Sequence, residues 1–230
     1  MKTLVNVGRY HLVDRITYVA LPWGILAFSF LINLAIAAMA PNQPRGGIYT
    51  GGLVSIYVFL FVCGSLSMTR ELPFGLMLGV SRRVYYLGTA LLVLALGIVY
   101  GLALTVLQVI ERASGGWGFS LHYFRVPWIM DGPWYQTWVS SFVLLVLFFL
   151  YGMWYGLVYR RWSLIGLVTF IIAQMLVALA VVAVVTLTHN WHAFGHFFTA
   201  VQAPALTGVL AALTVALGLG GFSTLRRATV

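Results

Sequence analysis

The stretch YYLGTALLVLALGIVYGLALTVLQVI, Tyr85–Ile110, carries no charged side chain and exceeds the roughly 20 residues a helix needs to cross about 30 Å of hydrocarbon. Lipid offers no partner to an unpaired N–H or C=O, so such a run must be helical. Its length and its lack of in–out alternation exclude a barrel strand. Working outward, the same pattern recurs. Upstream lie Val19–Ala40 and Thr50–Met68; downstream lie Gln136–Tyr159, Ser163–Thr188 and Ala205–Phe222. Composition agrees, because 62 % of the 230 residues are apolar and 7 % are charged, whereas a soluble domain carries about a quarter charged. The expectation is an all-α integral membrane protein: one bundle of six transmembrane helices over residues 1–230, covered by membrane lipid.

Orientation follows from the basic residues, which concentrate on the cytoplasmic side of a membrane protein. Alternate segments carry Lys2, Arg9 and Arg15; Arg70, Arg82 and Arg83; Arg160 and Arg161; and Arg226 and Arg227. These are ten of the 13 Lys and Arg residues, and the opposite loops hold only Arg45, Arg112 and Arg125, the last two accompanied by Glu111 and Asp131. Both termini are therefore placed in the cytoplasm. Topology accounts for the net charge of +9, which removes the reason to expect nucleic acid as a partner. Lys2 is the only lysine, a bias typical of GC-rich bacteria, so the expected location is a bacterial cytoplasmic membrane. The N-terminal lead-in, with Asp14, does not read as a cleaved signal peptide. Cys63 is the one cysteine, which excludes an intramolecular disulfide and a cysteine metal site.

Three segments outside the spans carry information. Residues 3–18, TLVNVGRYHLVDRITY, mix Arg9 and Arg15 with apolar side chains and suit an amphipathic helix in the cytoplasmic interface. Residues 69–83, TRELPFGLMLGVSRR, are too short and too charged at the ends to span, yet Leu72, Phe74, Leu76, Met77, Leu78 and Val80 are too apolar for a solvated loop. A short helix pressing them onto another surface resolves the conflict. Residues 189–204 are aromatic and broken near Gly195 and Pro204, which suits a re-entrant hairpin on the outer side. Gly97-x-x-x-Gly101 and Gly152-x-x-x-Gly156 permit close helix approach, read first as packing within the chain.

The chemistry that is missing narrows the function. No Asp, Glu, Lys or Arg lies near the centre of a span, whereas ion-coupled transporters keep ionisable groups at membrane depth. The polar candidates there are Ser29, Asn33, Thr105, Gln108, Ser140, Ser141, Gln174 and Thr186. A phosphate-binding loop needs a lysine after its glycines, and Lys2 cannot supply it. Cys63-Gly64-Ser65-Leu66 lacks the Gly-x-Ser-Gly turn of a rhomboid-type protease, and no nucleophile–base pair sits at depth. His189, His192 and His196 share one helical face, but no Asp or Glu lies nearby to orient them as ligands. They are read as polar anchors at the interface, and no metal is expected.

The layout and the local string TRELPFGLMLGVSRRVYYLGTALL, Thr69–Leu92, resemble the permease subunits of type-2 ABC transporters, the type V exporter fold. In that family's pattern a glycine, a hydroxyl residue and two arginines lead into the third span. Gly79, Ser81, Arg82, Arg83 and Tyr86 fit it, while Thr89 stands where a smaller residue is usual and Gly88 comes one place early. The resemblance implies an N-terminal connecting helix over 3–18, a coupling helix over 69–83 between spans two and three, and a re-entrant hairpin between spans five and six. It also implies a transmembrane subunit without catalysis of its own. A cytoplasmic ABC ATPase, two copies per transporter, would carry ATP and Mg and dock on Leu72, Pro73, Phe74, Leu76, Met77 and Leu78. Glu71, Arg82 and Arg83 would make polar contacts at the rim. A second permease chain, the same or related, would complete a path for a hydrophobic or amphiphilic substrate, with Phe28, Asn33 and Gln174 as lining residues by position. The alternative is a membrane-embedded substrate-binding or immunity subunit without export, which needs no protruding apolar knob beside a glutamate.

Overall fold

The computed structural model of the chain describes residues 16–39, 47–127, 129–130, 132–192, 195 and 202–227, the last three as backbone. It is mostly helical (85 %), and five helices among the described residues are long and apolar enough to cross a membrane. The first, Ile16–Met39, opens with a π turn at Ile16–Ala20 and continues as α1, Leu21–Met39. Most of the expected connecting helix lies outside the described residues, and residues 16–18 form the first turn of the span itself. The expected re-entrant hairpin likewise lies largely outside them.

The second helix, α2 (Val54–Leu66), does not stop at Met68. It runs through a π turn at Ser67–Glu71 into α3, Leu72–Met77, as one run of 24 residues. Within the stretch expected to hold a short helix, 69–83, the residues Leu72–Met77 are thus helical, and they continue from α2 through the π turn. Pro73 supplies the reason for the π turn. It cannot donate to the Thr69 carbonyl, and its ring would clash there in an unbroken α-helix, so the chain widens just before it. The run ends in a glycine cap: Gly79 adopts φ 79°, its N–H bonds the Leu76 carbonyl at 3.0 Å, and Val80 N bonds the Gly75 carbonyl at 3.0 Å. Ser81 then caps the next helix, its Oγ accepting from Val84 N at 3.4 Å.

That helix, α4 (Arg82–Ala113, 32 residues), holds the stretch Tyr85–Ile110 in its middle. A two-residue parallel pairing follows, β1 (Ile48–Tyr49) with β2 (Leu121–His122). Next comes α5, Trp134–Leu187, whose 54 residues are interrupted at Ser163 by φ 53° and ψ −156°. Tyr155, eight residues before that corner, packs edge-on against Phe170 at 5.3 Å and donates its hydroxyl to Gln174 Oε1. These contacts require the two halves to fold back on one another. The last helix, α6, is Ala203–Arg227.

The bundle centres on α2, α4 and the first half of α5. A Cβ on Gly152 would stand 1.9 Å from the Phe61 carbonyl oxygen, and one on Gly64 would stand 2.1 Å from that of Phe149. Backbone thus meets backbone across α2 and α5, as small residues permit. Both GxxxG motifs are spent on such contacts within the chain, Gly97 and Gly101 against Phe142 and Trp138. Helix α6 is held by aromatic donors: Tyr86 Oη bonds the Gly218 carbonyl at 2.7 Å, and Trp154 Nε1 bonds that of Leu217 at 2.9 Å.

Candidate functional site

At the N-terminal end of α4 the chain presents an apolar knob on a polar base. Leu72 is buried and anchors α3, whereas Phe74, Met77 and Leu78 are 43 %, 78 % and 64 % exposed. Pro73 and Leu76 are half-buried between these sets. The base is Glu71, whose carboxylate accepts the Tyr18 hydroxyl at 2.8 Å and 2.9 Å and the Tyr85 hydroxyl at 3.4 Å. Tyr85 Oη also donates to the Ser67 carbonyl at 2.9 Å, and Tyr100 Oη bonds the carbonyl of Tyr18. One carboxylate therefore ties the start of α1, the π turn before α3 and the start of α4 together. The family resemblance places Glu71 at the rim of a docking surface; the structure shows its oxygens engaged within the chain. Arg82 is half-buried and Arg83 exposed beside the knob, and Arg160 Nη1 lies 3.5 Å from the Met68 carbonyl at the same end.

The three residues assigned to a substrate path do not meet inside one chain. Phe28 is exposed on α1, Asn33 Nδ2 bonds the Ser29 carbonyl at 2.8 Å, and Gln174 accepts from Tyr155. Helix α1 packs on α2 and on the loop after α4, not on the second half of α5. His189, with φ 52°, and His192 are both exposed, and His196 lies outside the described residues. No cluster of three metal-ligating side chains occurs among the described residues.

The opposite end of α4, about 48 Å away at 1.5 Å per residue, holds a group that residue-type reading took for an ordinary loop charge. Glu111 is 1 % exposed. Its Oε2 accepts Tyr123 N at 2.9 Å, Phe124 N at 2.8 Å and Trp117 Nε1 at 3.2 Å. Its Oε1 has no hydrogen-bond partner among the described residues, and His122 Nδ1 stands 3.8 Å from it. The loop reaches this carboxylate through a run of left-handed residues, Gly115, Gly116, Trp117 and Gly118. Trp117 is the strained member, since only glycine enters that region freely. Phe30 of α1 then packs edge-on against Trp117 at 4.9 Å and Tyr123 at 5.2 Å. Burial raises the pKa of the Tyr123 phenol, which keeps it a donor. On the other flank Gln108, Arg112 and Thr137 all donate to the Met130 carbonyl. A carboxylate gathering three N–H groups from one loop is a strong organiser.

Beside Glu111 opens a cavity of about 390 Å³, lined among others by Tyr49, Arg112, His122 and Arg125. A second cavity, about 630 Å³ and apolar, opens in the crook at Ser163 between Val158, Trp162, Ile165 and Phe170. Compared with known proteins, the chain matches no family model, and no curated protein or solved structure is significantly similar to it.

Proposed function

We propose that this chain is the transmembrane subunit of an ATP-driven exporter, crossing a bacterial cytoplasmic membrane six times with both termini inside. The observation that carries the reading is the knob of Phe74, Met77 and Leu78, exposed at the arginine-rich end of the bundle on a base fixed by Glu71. Exposed apolar side chains rimmed by charge favour a protein partner over water, and a base tied to α1, α2 and α4 would pass a push on the knob into three helices. The partner is an ABC ATPase that binds ATP and Mg; this chain supplies no phosphate-binding loop. A second permease chain would bring Phe28 and Asn33 opposite Gln174, and the exposed apolar lengths of α1 and of the second half of α5 are the surfaces available to it. The cargo is hydrophobic or amphiphilic. One observation favours a membrane-embedded binding subunit instead: the cleft beside Glu111 is a site without an obvious share in coupling.

The test is co-purification from the native membrane in mild detergent, comparing wild type with Phe74→Asp combined with Met77→Asp. Glu71 is left intact because its carboxylate holds the fold. An ATP-hydrolysing chain that accompanies wild type and is lost from a variant with unchanged gel-filtration behaviour supports the assignment. Wild type free of any ATPase, or a variant that retains it, removes the reading.

A further inference from the structure

The cleft at the C-terminal end of α4 carries recognition chemistry that coupling to an ATPase does not use. A buried carboxylate oxygen without a donor is costly, and Glu111 Oε1 is in that position, with His122 Nδ1 3.8 Å from it. His122 is the side chain placed to answer that oxygen through Nδ1, and its ring has a second nitrogen to offer a ligand. The second nitrogen, Nε2, faces Gly47: a Cβ there would stand 2.6 Å from it, so glycine keeps that edge of the ring open. Tyr49 lies against the imidazole with ring centroids 4.7 Å apart and fixes its plane. Arg112 and Arg125 line the same cleft, and the five N–H donors of a guanidinium allow structural and ligand bonds at once. Among the described residues, Glu111, Arg112, Arg125 and Tyr49 are the charged or titratable groups around His122.

We propose that this cleft binds the phosphate of a phosphoester, with His122, backed by Glu111, meeting it at Nε2 while Arg112 and Arg125 flank the remaining oxygens. Two guanidinium groups, carried on α4 and on the segment after β2, together with the His122 ring on β2, suit a tetrahedral anion better than a planar one. The phosphoester comes from a lipid headgroup or from a soluble molecule. The last turns of α4 expose Leu102, Val106, Val109 and Ile110, an apolar flank on which acyl chains would lie. The proposal rests on this cleft alone, and its test needs no ATPase, so its failure leaves the exporter reading untouched.

The experiment titrates the full chain, purified in a sugar-based detergent, with two phosphodiesters and follows binding by calorimetry. Glycerophosphoglycerol represents the soluble source and short-chain phosphatidylglycerol the lipid source; dodecyltrimethylammonium controls for binding through the apolar tail. Saturable binding of both probes identifies the phosphate group itself as the ligand, and binding of the phospholipid alone identifies a headgroup; either supports the site. His122→Gln and Arg125→Gln are each expected to weaken binding about tenfold or more, with wild-type thermal midpoints as the check on folding. Absence of saturable binding by either probe, folded variants that bind as wild type does, or equal binding of the cationic control would overturn the proposal.

Discussion

The two halves of α5 are both long apolar runs and meet opposite surroundings. Residues 134–162 bury Leu145, Phe149, Met153 and Leu157 against α2, α4 and α6, whereas residues 164–187 leave Ile165, Met175, Val177, Leu179 and Leu187 exposed. Hydropathy alone does not tell which half is packed, because in a bilayer lipid-facing and protein-facing positions are both apolar. What separates them is side-chain size at the contact. The first half has Gly152 and Gly156 where α2 approaches: a Cβ on them would stand 1.9 Å from the Phe61 carbonyl oxygen and 2.7 Å from that of Ser65. The second half offers Gly166, whose missing Cβ is used by its own neighbour: a Cβ there would stand 2.0 Å from Trp162 Cβ. In this chain helix association is specified by where bulk is absent.

The sharpest way to break this contrast is Gly152→Val. With the Phe61 carbonyl 1.9 Å from the nearest Cβ position, α2 and α5 must separate, at a cost of about 3 kcal/mol, read as a large drop in thermal midpoint or loss of the monodisperse species in detergent. A midpoint within a degree or two of wild type would mean that the two backbones are not in contact. Ser163→Gly tests the corner between the halves. Its φ 53°, ψ −156° belongs to a region almost reserved for glycine, so the substitution should stabilise by about 1 kcal/mol, measured by chemical unfolding; destabilisation would show that serine is not strained there. Tyr155→Phe removes the hydroxyl that reaches Gln174 and should cost about 0.6 kcal/mol. Spin labels placed on the two halves should then report a broader distance distribution, and an unchanged one would deny the bond its holding role. Smallest of all, Ala178→Leu on the exposed half should shift stability by less than about 0.5 kcal/mol. A larger loss in the isolated chain would reveal packing on that face.

The long apolar runs and their approximate ends were legible from hydropathy because lipid imposes length and helicity together. The corner at Ser163 was legible too, since Arg160, Arg161 and Trp162 interrupt the apolar run just before it. The continuation of α2 into α3 was not: Thr69, Arg70 and Glu71 look like the edge of a membrane, and the π turn that carries the helix past them depends on Pro73 two residues on. Glu111 was missed for a different reason. Two of its donors are backbone N–H groups, at Tyr123 and Phe124, and main-chain donors leave no trace in residue type. The available signal was scarcity, because a chain with four acidic residues that sets one directly after an uncharged helical run gives that one an unusually low-dielectric position.

The corner at Ser163 also has a mechanical meaning. A single residue joins two rods, with no slack loop between them, and the rod beyond it is about 36 Å long at 1.5 Å per residue. A change of about ten degrees at that joint would carry its far end by about 6 Å, a displacement larger than one helical turn. Because that rod has little packing to hold it, the energy needed to swing it is set at the joint and at Tyr155. Such a swing would pivot three residues beyond Arg160, whose Nη1 reaches the Met68 carbonyl in the turn that leads to Phe74 and Met77.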